Sequence, residues 1–385
     1  MDSVGIITIP DYNNYGNRLQ NYAVKTIFEK RGYRVYTLEM NDSAFEKYEQ
    51  RKYKLWLRKY KIRPLIFFYE VLKCGITKAR RERLFEKFSV QYLNIKYEPI
   101  YNKRVVNNLL KEISFFVLGS DQIWHPYIND TPNLYFAKFV PPKRRIYFSP
   151  SFGVEELSNK YQQIVFDGLN DAIDISVREP AGQRIIEQIL GKKATILIDP
   201  TLMLDAEDWK KVAKKPHNLW DEDYLLKCFL GPINREYGDV IKNIESETGL
   251  KTYTLANKEY TPGYVTGPSE FVYSIMNSKL VLTDSFHAVV FSILLNKPFV
   301  VFSRLKDNGE NAGLDSRVDE LLTKMKLESR KYVGDFNISL FECDFEYVQE
   351  VLDRERTLVE QFLDKNIEIA MNGREQGEDN YERYN

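Results

Sequence analysis

One of the chain's three histidines stands where chemistry is expected. The apolar run Leu280, Val281, Leu282, Thr283 reads as a buried strand, and Asp284, Ser285, Phe286 and His287 lead straight into an apolar helical stretch. Asp284 or Ser285 can cap that helix, whose positive dipole end and first N–H groups favour an anion. His287 then lies in the first helical turn at the carboxyl edge of a sheet, as a proton donor or as a cap of its own helix. Three arginines hold comparable positions. Arg178 leaves a strand just before Pro180, Arg304 follows Phe302 and Ser303, and Arg317 lies in the loop from Gly313. A lone arginine of this kind is an ordinary surface ion pair. Three converging on one edge point to an anionic small molecule, because the planar guanidinium fits carboxylate and phosphate.

The first half of the chain carries a different set. Asn13, Asn14, Tyr15, Gly16, Asn17, Arg18, Leu19 and Gln20 follow the first strand with a single glycine, not the three of a dinucleotide fingerprint. Asn14, Asn17, Arg18 and Gln20 suit sugar hydroxyls, or in part cap the helix. Gly119, Ser120, Asp121, Gln122, Ile123 and Trp124 follow another buried strand. Asp121 can take a hydroxyl proton or cap a helix; Trp124 can stack on a sugar or fill the core. Asp221, Glu222 and Asp223 are the nearest approach to an acidic metal motif and read as a solvated turn, so no metal is expected.

The elements that must position these groups alternate. Apolar strands at 4–9, 33–38, 115–118, 145–148, 173–177, 195–198, 224–230, 252–255, 280–283 and 299–302 are separated by helical stretches, which implies parallel sheets covered on both faces. The series restarts near 173. The expected fold is therefore α/β, with a Rossmann-like domain over 1–172, a basic helical insertion at 43–92, and a second Rossmann-like domain over 173–345. A C-terminal helix over 346–371 and a disordered tail at 372–385 complete it. In such sheets ligands bind beyond the carboxyl ends of the strands.

At 385 residues the chain is long for one core, and 55 basic against 55 acidic residues make a nucleic-acid partner unexpected. The charge is nevertheless uneven: between 47 and 87 stand fourteen Lys/Arg and four Glu, interleaved with Trp56, Leu57, Leu65, Phe67, Leu72 and Ile76. Such a segment suits an anionic membrane surface or is a solvated helical pair. Three scattered cysteines, no apolar run long enough to span a bilayer and no leader pattern imply a cytoplasmic protein.

The pieces NYGNRLQNYA (14–23), GSDQIW (119–124), SVRE (176–179), DPTLML (199–204), TDSFHAVVFSILLNKP (283–298) and DSR (315–317) together resemble the polysaccharide pyruvyl transferase family of bacterial surface-glycan synthesis, over residues 4 to about 320. The resemblance implies two Rossmann-like domains facing across a cleft, as in GT-B glycosyltransferases, with the acceptor on the first and the donor on the second. It implies transfer of pyruvate from phosphoenolpyruvate to a sugar of a capsule or exopolysaccharide precursor as a ketal, with phosphoenolpyruvate as co-substrate and no separate cofactor. His287 becomes the general acid and Asp121 the hydroxyl activator. Arg178, Ser285, Arg304 and Arg317 hold the donor; Asn14, Asn17, Arg18, Gln20 and Trp124 hold the acceptor. A lipid-linked saccharide would give the basic segment a purpose at the inner face of the plasma membrane. The alternatives are a GT-B glycosyltransferase using a nucleotide sugar and a catalytically silent glycan-binding member.

Overall fold

A computed structural model describes residues 1–40, 64–98, 103–126, 132–256, 262–312, 316–334 and 338–375. The chain divides into two compact units, one of residues 1–70, 89–203 and 355–385, the other of 71–88 and 204–354.

In the first unit, β1 (Ser3–Ile7), β2 (Arg34–Met40), β3 (Ile95–Glu98), β4 (Phe115–Gly119) and β5 (Arg145–Phe148) form one parallel sheet in the order β3-β2-β1-β4-β5. β1 and β4 are buried along their whole lengths, as apolar strands covered on both faces must be. Gly5 stays a glycine because a Cβ there would sit 3.0 Å from a Leu38 methyl and 3.1 Å from the Phe116 ring. Helix α1 (Tyr15–Lys30) starts at Asn14, whose side chain accepts from the Asn17 N–H, and buries Leu19, Ala23, Val24, Ile27 and Phe28 at helical spacing.

The restart expected at 173 is not a domain boundary. β6 (Ser176–Val177) and β7 (Thr195–Ile196) form a small parallel pair, and Ile175 bridges in parallel to Tyr147 of β5. The Ser176 hydroxyl donates to the Tyr147 carbonyl and accepts from the Ser149 N–H. Val177, Ile185 and Ile186 share one core with Trp124, Phe136 and Phe152. Residues 173–203 therefore belong to the first unit.

In the second unit, β8 (Tyr224–Cys228), β9 (Lys251–Leu255), β10 (Leu280–Thr283) and β11 (Phe299–Val301) form a parallel sheet in the order β11-β10-β8-β9. The expected insertion at 43–92 differs from what is found: 41–63 lie outside the described residues, whereas α2 (Pro64–Tyr92) contributes residues 71–88 to the second unit. There buried Arg81 donates to the Tyr264 and Thr266 carbonyls and lies 5.0 Å and 5.1 Å from the Phe85 and Tyr264 ring centroids.

Two Rossmann-like α/β units thus account for the fold, with a long final helix, Glu346–Glu375. Residues 372–375, expected in a disordered tail, are the last of that helix, and 376–385 lie outside the described residues. From 355 onward the helix is pinned within the first unit: Arg374 donates to Asp2 and Ser114, Asn366 to Asp174, and Arg356 to the Leu202 carbonyl. Among the described residues no helix is long and apolar enough to cross a membrane.

Candidate active site

A parallel sheet opens a crevice where its strand order reverses. In the first unit the reversal falls between β1 and β4, and the carboxyl ends of both carry polar residues. Asp11 follows β1; Asp121 follows β4 with φ 65°, and its carbonyl accepts from the Ser151 N–H. Asn17, wholly buried at the start of α1, joins the two loops: Nδ2 donates to Asp121 Oδ2 at 2.8 Å, and Oδ1 accepts from the Asp11 N–H at 3.1 Å.

Four of the residues expected to touch an acceptor are framework instead. Arg18 is fully buried; Nη1 meets Glu39 Oε1 at 3.1 Å, Nη2 donates to the Ile9 carbonyl and to Asn17, and the guanidinium lies over the Tyr12 ring. Gln20, equally buried, donates to Thr8 Oγ1 and the Asn17 carbonyl. Asn17 itself is spent on Asp11, Arg18 and Asp121. Trp124 has no exposed face for a sugar: its Nε1–H donates to the Tyr135 carbonyl and its ring stacks on Phe136, 5.8 Å between centroids. Only Asn14 of this set is exposed, and its side chain caps α1. A buried charge must find partners within the fold, so Arg18 and Asn17 organise the loop and do not read a ligand.

Arg178 also departs from expectation. It belongs to the first unit, and its Nη1 meets Asp199 Oδ2 at 2.7 Å, with Glu179 Oε2 3.6 Å from Nε. Burial alone would favour loss of the guanidinium proton; Asp199, Glu179 and Asp121 outweigh it and hold the pKa above its ordinary value. Asp199 is fixed in turn by the Thr201 N–H and hydroxyl, and Glu179 Oε1 accepts from the Ser151 hydroxyl. Several carboxylates around one guanidinium leave this edge with excess negative charge, a poor seat for phosphate and a good one for hydroxyl donors.

In the second unit the order reverses between β8 and β10. Asp284, at the end of β10, neither caps the following helix nor faces outward. Its two oxygens accept from the Leu230 and Gly231 N–H groups at 2.7 and 2.8 Å, which locks the β8 loop to β10. Arg304 Nη2 donates to the Asp284 carbonyl at 2.9 Å, and its Nε lies 3.5 Å from Oδ2. Gly231 is compelled by closeness: a Cβ would stand 2.7 Å from the Leu305 carbonyl oxygen and 3.2 Å from Asp284 Oδ2. Ser285 holds the N-cap position of α3 (Phe286–Leu294) but makes no side-chain cap; its N–H donates to Thr283 Oγ1. His287 stands in the first turn, partly exposed, with its ring edge-on to Phe286 at 5.3 Å. Arg317 lies 5.8 Å from the Phe286 ring centroid; residues 313–315 of its loop lie outside the described residues. The second unit thus gathers His287, Ser285, Arg304 and Arg317 around one edge. Beside them burial, with Asp284 adding to it, pushes the Cys228 thiol up to about 12, which keeps it neutral and inert.

Three residues take roles that the sequence does not assign them. Asp199 and Glu179 neutralise Arg178, and Asp11 shares the crevice with Asp121. Burial pushes the Asp11 carboxyl above its ordinary value; the Asn13 N–H opposes the rise and the Asp121 charge adds to it. The one available signal was its place in Ile9, Pro10, Asp11, directly after a strand. Asp221, Glu222 and Asp223 pair with Lys215, Lys251 and Lys279 at the surface, and among the described residues no cluster of three His, Cys, Asp or Glu is placed to hold a metal ion.

The sequence matches the family model described as polysaccharide pyruvyl transferase over residues 14–306. No curated protein matches it. Among solved structures it is similar to the ADP-heptose LPS heptosyltransferase II of E. coli, with 12% identity over 94% of this chain and 100% of that one and a TM-score of 0.37. It is similar to a glycosyltransferase from Rickettsia africae, with 9% identity over 96% and 97% and a TM-score of 0.39. A UDP-GlcNAc 2-epimerase from Methanocaldococcus jannaschii gives 12% identity over 92% and 94% and a TM-score of 0.34. All three likenesses are remote.

Proposed function

The chain belongs to the polysaccharide pyruvyl transferase family, and from that premise we propose that it moves pyruvate from phosphoenolpyruvate onto two hydroxyls of a lipid-linked surface-glycan precursor, as a ketal. The observation that carries this reading is the second unit's edge. A half-buried histidine in the first turn of α3, a helix start without a side-chain cap, and two guanidinium groups suit a small molecule bearing phosphate and carboxylate. The carboxylate-rich edge of the first unit suits a polyhydroxyl acceptor, which supports the acceptor and donor roles of the two units.

The chemistry balances with these residues. His287 gives a proton to the methylene carbon of phosphoenolpyruvate, and the C2 centre becomes oxocarbenium-like. One sugar hydroxyl adds to C2 and gives up its proton to a general base. The second hydroxyl adds as the C–O bond to phosphate breaks. Of the two hydroxyl protons, one restores His287 and the other leaves with phosphate. Arg304 and Arg317 offset the donor's charge, and no separate cofactor enters.

Thermal shift separates this reading from its rival. Phosphoenolpyruvate is expected to raise the melting temperature, because a ligand that binds only the folded state stabilises it; stabilisation by UDP and not by phosphoenolpyruvate would point to a nucleotide-sugar glycosyltransferase. Transfer itself is checked as phosphate release and product mass with phosphoenolpyruvate and a panel of p-nitrophenyl hexosides or lipid-linked sugars.

Asp11→Asn tests the acceptor edge. Because its folded-state pKa is raised, the native protein binds more protons than the unfolded chain between the ordinary carboxyl value and the raised one, so stability falls as pH rises through that window. The amide removes this penalty. Melting temperature near neutral pH should rise, the acid-side slope of stability should flatten, and transfer should drop. An unchanged slope in urea titrations from acid to neutral pH would remove Asp11 from the crevice's proton chemistry.

A further inference from the structure

The exposed face of α2 has a pattern that the transferase reading does not use. Ile76, Arg80, Arg83, Lys87 and Val90 recur at steps of four, three, four and three, and all five are exposed, Ile76 at 52% and Val90 at 79%. At 100° per residue they occupy a stripe about 80° wide and about 21 Å long. The opposite face of the helix carries buried Arg81, Phe85 and Phe88, with Arg81 bonded to the Tyr264 and Thr266 carbonyls, so the stripe is the face turned outward. Glu86 borders the stripe without entering it.

We propose that this stripe docks on an anionic phospholipid bilayer, with Arg80, Arg83 and Lys87 at the phosphate level and Ile76 and Val90 in the interface at either end. Charge complementarity selects the partner, since basic residues near an anionic leaflet attract it additively. The terminal Ile and Val decide against a nucleic acid: two large aliphatic side chains that cost free energy in water lose that cost at the headgroup boundary, whereas a polyanion in water offers them nothing. A surface of this kind puts the enzyme where a lipid-linked acceptor lies. The inference extends the proposed function, yet its test does not use the reaction, so the two can fail separately.

The full chain is centrifuged with phosphatidylcholine vesicles, with and without phosphatidylglycerol. Binding is expected only with the anionic lipid, and to weaken as salt rises. The charge-reversed variant Arg80→Glu, Arg83→Glu, Lys87→Glu should lose about a hundredfold or more in partitioning. Ile76→Ser with Val90→Ser should weaken binding several-fold at fixed salt. All five side chains are exposed, so the melting temperatures should stay at the wild-type value and certify the fold. Equal sedimentation with neutral and anionic vesicles, an undiminished charge-reversed variant, or tight binding of an RNA oligomer without vesicle binding would each overturn the proposal.

Discussion

Replacing His287 by glutamine is expected to lower pyruvyl transfer about 10²–10⁴-fold, the usual worth of a positioned general acid, with little change in the concentration of phosphoenolpyruvate needed for half-maximal rate. The substitution keeps a similar volume and a hydrogen-bonding tip at a half-buried first-turn position, so α3 and the sheet behind it should keep their structure. What disappears is a group that can hand a proton to carbon. Loss of turnover without loss of donor binding identifies an interaction made in the transition state. The measurement is steady-state phosphate release at several donor concentrations, with thermal melting as the fold control. Turnover at the wild-type rate would give the proton to another residue and remove the imidazole from the mechanism.

Asp284→Ala should have the largest effect on stability. One buried carboxylate holds two backbone N–H groups of the β8 loop and pairs with Arg304. Its removal strands both donors and leaves the guanidinium without its counter-charge, a loss of about 3–5 kcal/mol. Urea denaturation should show the second unit unfolding at lower denaturant. Asp284→Asn, which keeps one acceptor, should fall between wild type and alanine. Donor affinity should fall with both, since the same carboxylate fixes Arg304. Equal midpoints for wild type and Asp284→Ala would mean that the loop is held by other contacts.

The legible parts of this molecule were those decided locally. The run from Leu280 into His287 is a strand followed at once by a helix, so its placement at a sheet edge needed only neighbouring residues. Trp124 was ambiguous because an aromatic after a strand reads equally as platform or core; packing against Phe136, Tyr147 and Phe152, far along the chain, decides it. Arg178 looked like a ligand arginine because its partner Asp199 lies 21 positions on, inside a motif whose pairing no spacing rule exposes. The false boundary at 173 has the same origin: a two-residue strand carries no periodicity, and the bridge to Tyr147, the Ser176 hydroxyl bonds and the core shared with Trp124 set its allegiance. Asp11 escaped notice because a single carboxylate in a loop gains meaning only when Asn17 ties it to Asp121.

The division of the chain has a consequence for how such proteins can diversify. The first unit is assembled from three stretches and the second from two, and residues 71–88 and 355–375 are lent across the middle of the sequence. A single crossover at 203/204 between two relatives would separate the first unit from its terminal helix and the second from Arg81 and Phe85. Halves exchanged at that point would therefore not be self-sufficient cassettes, since each would lack a stretch of its own unit.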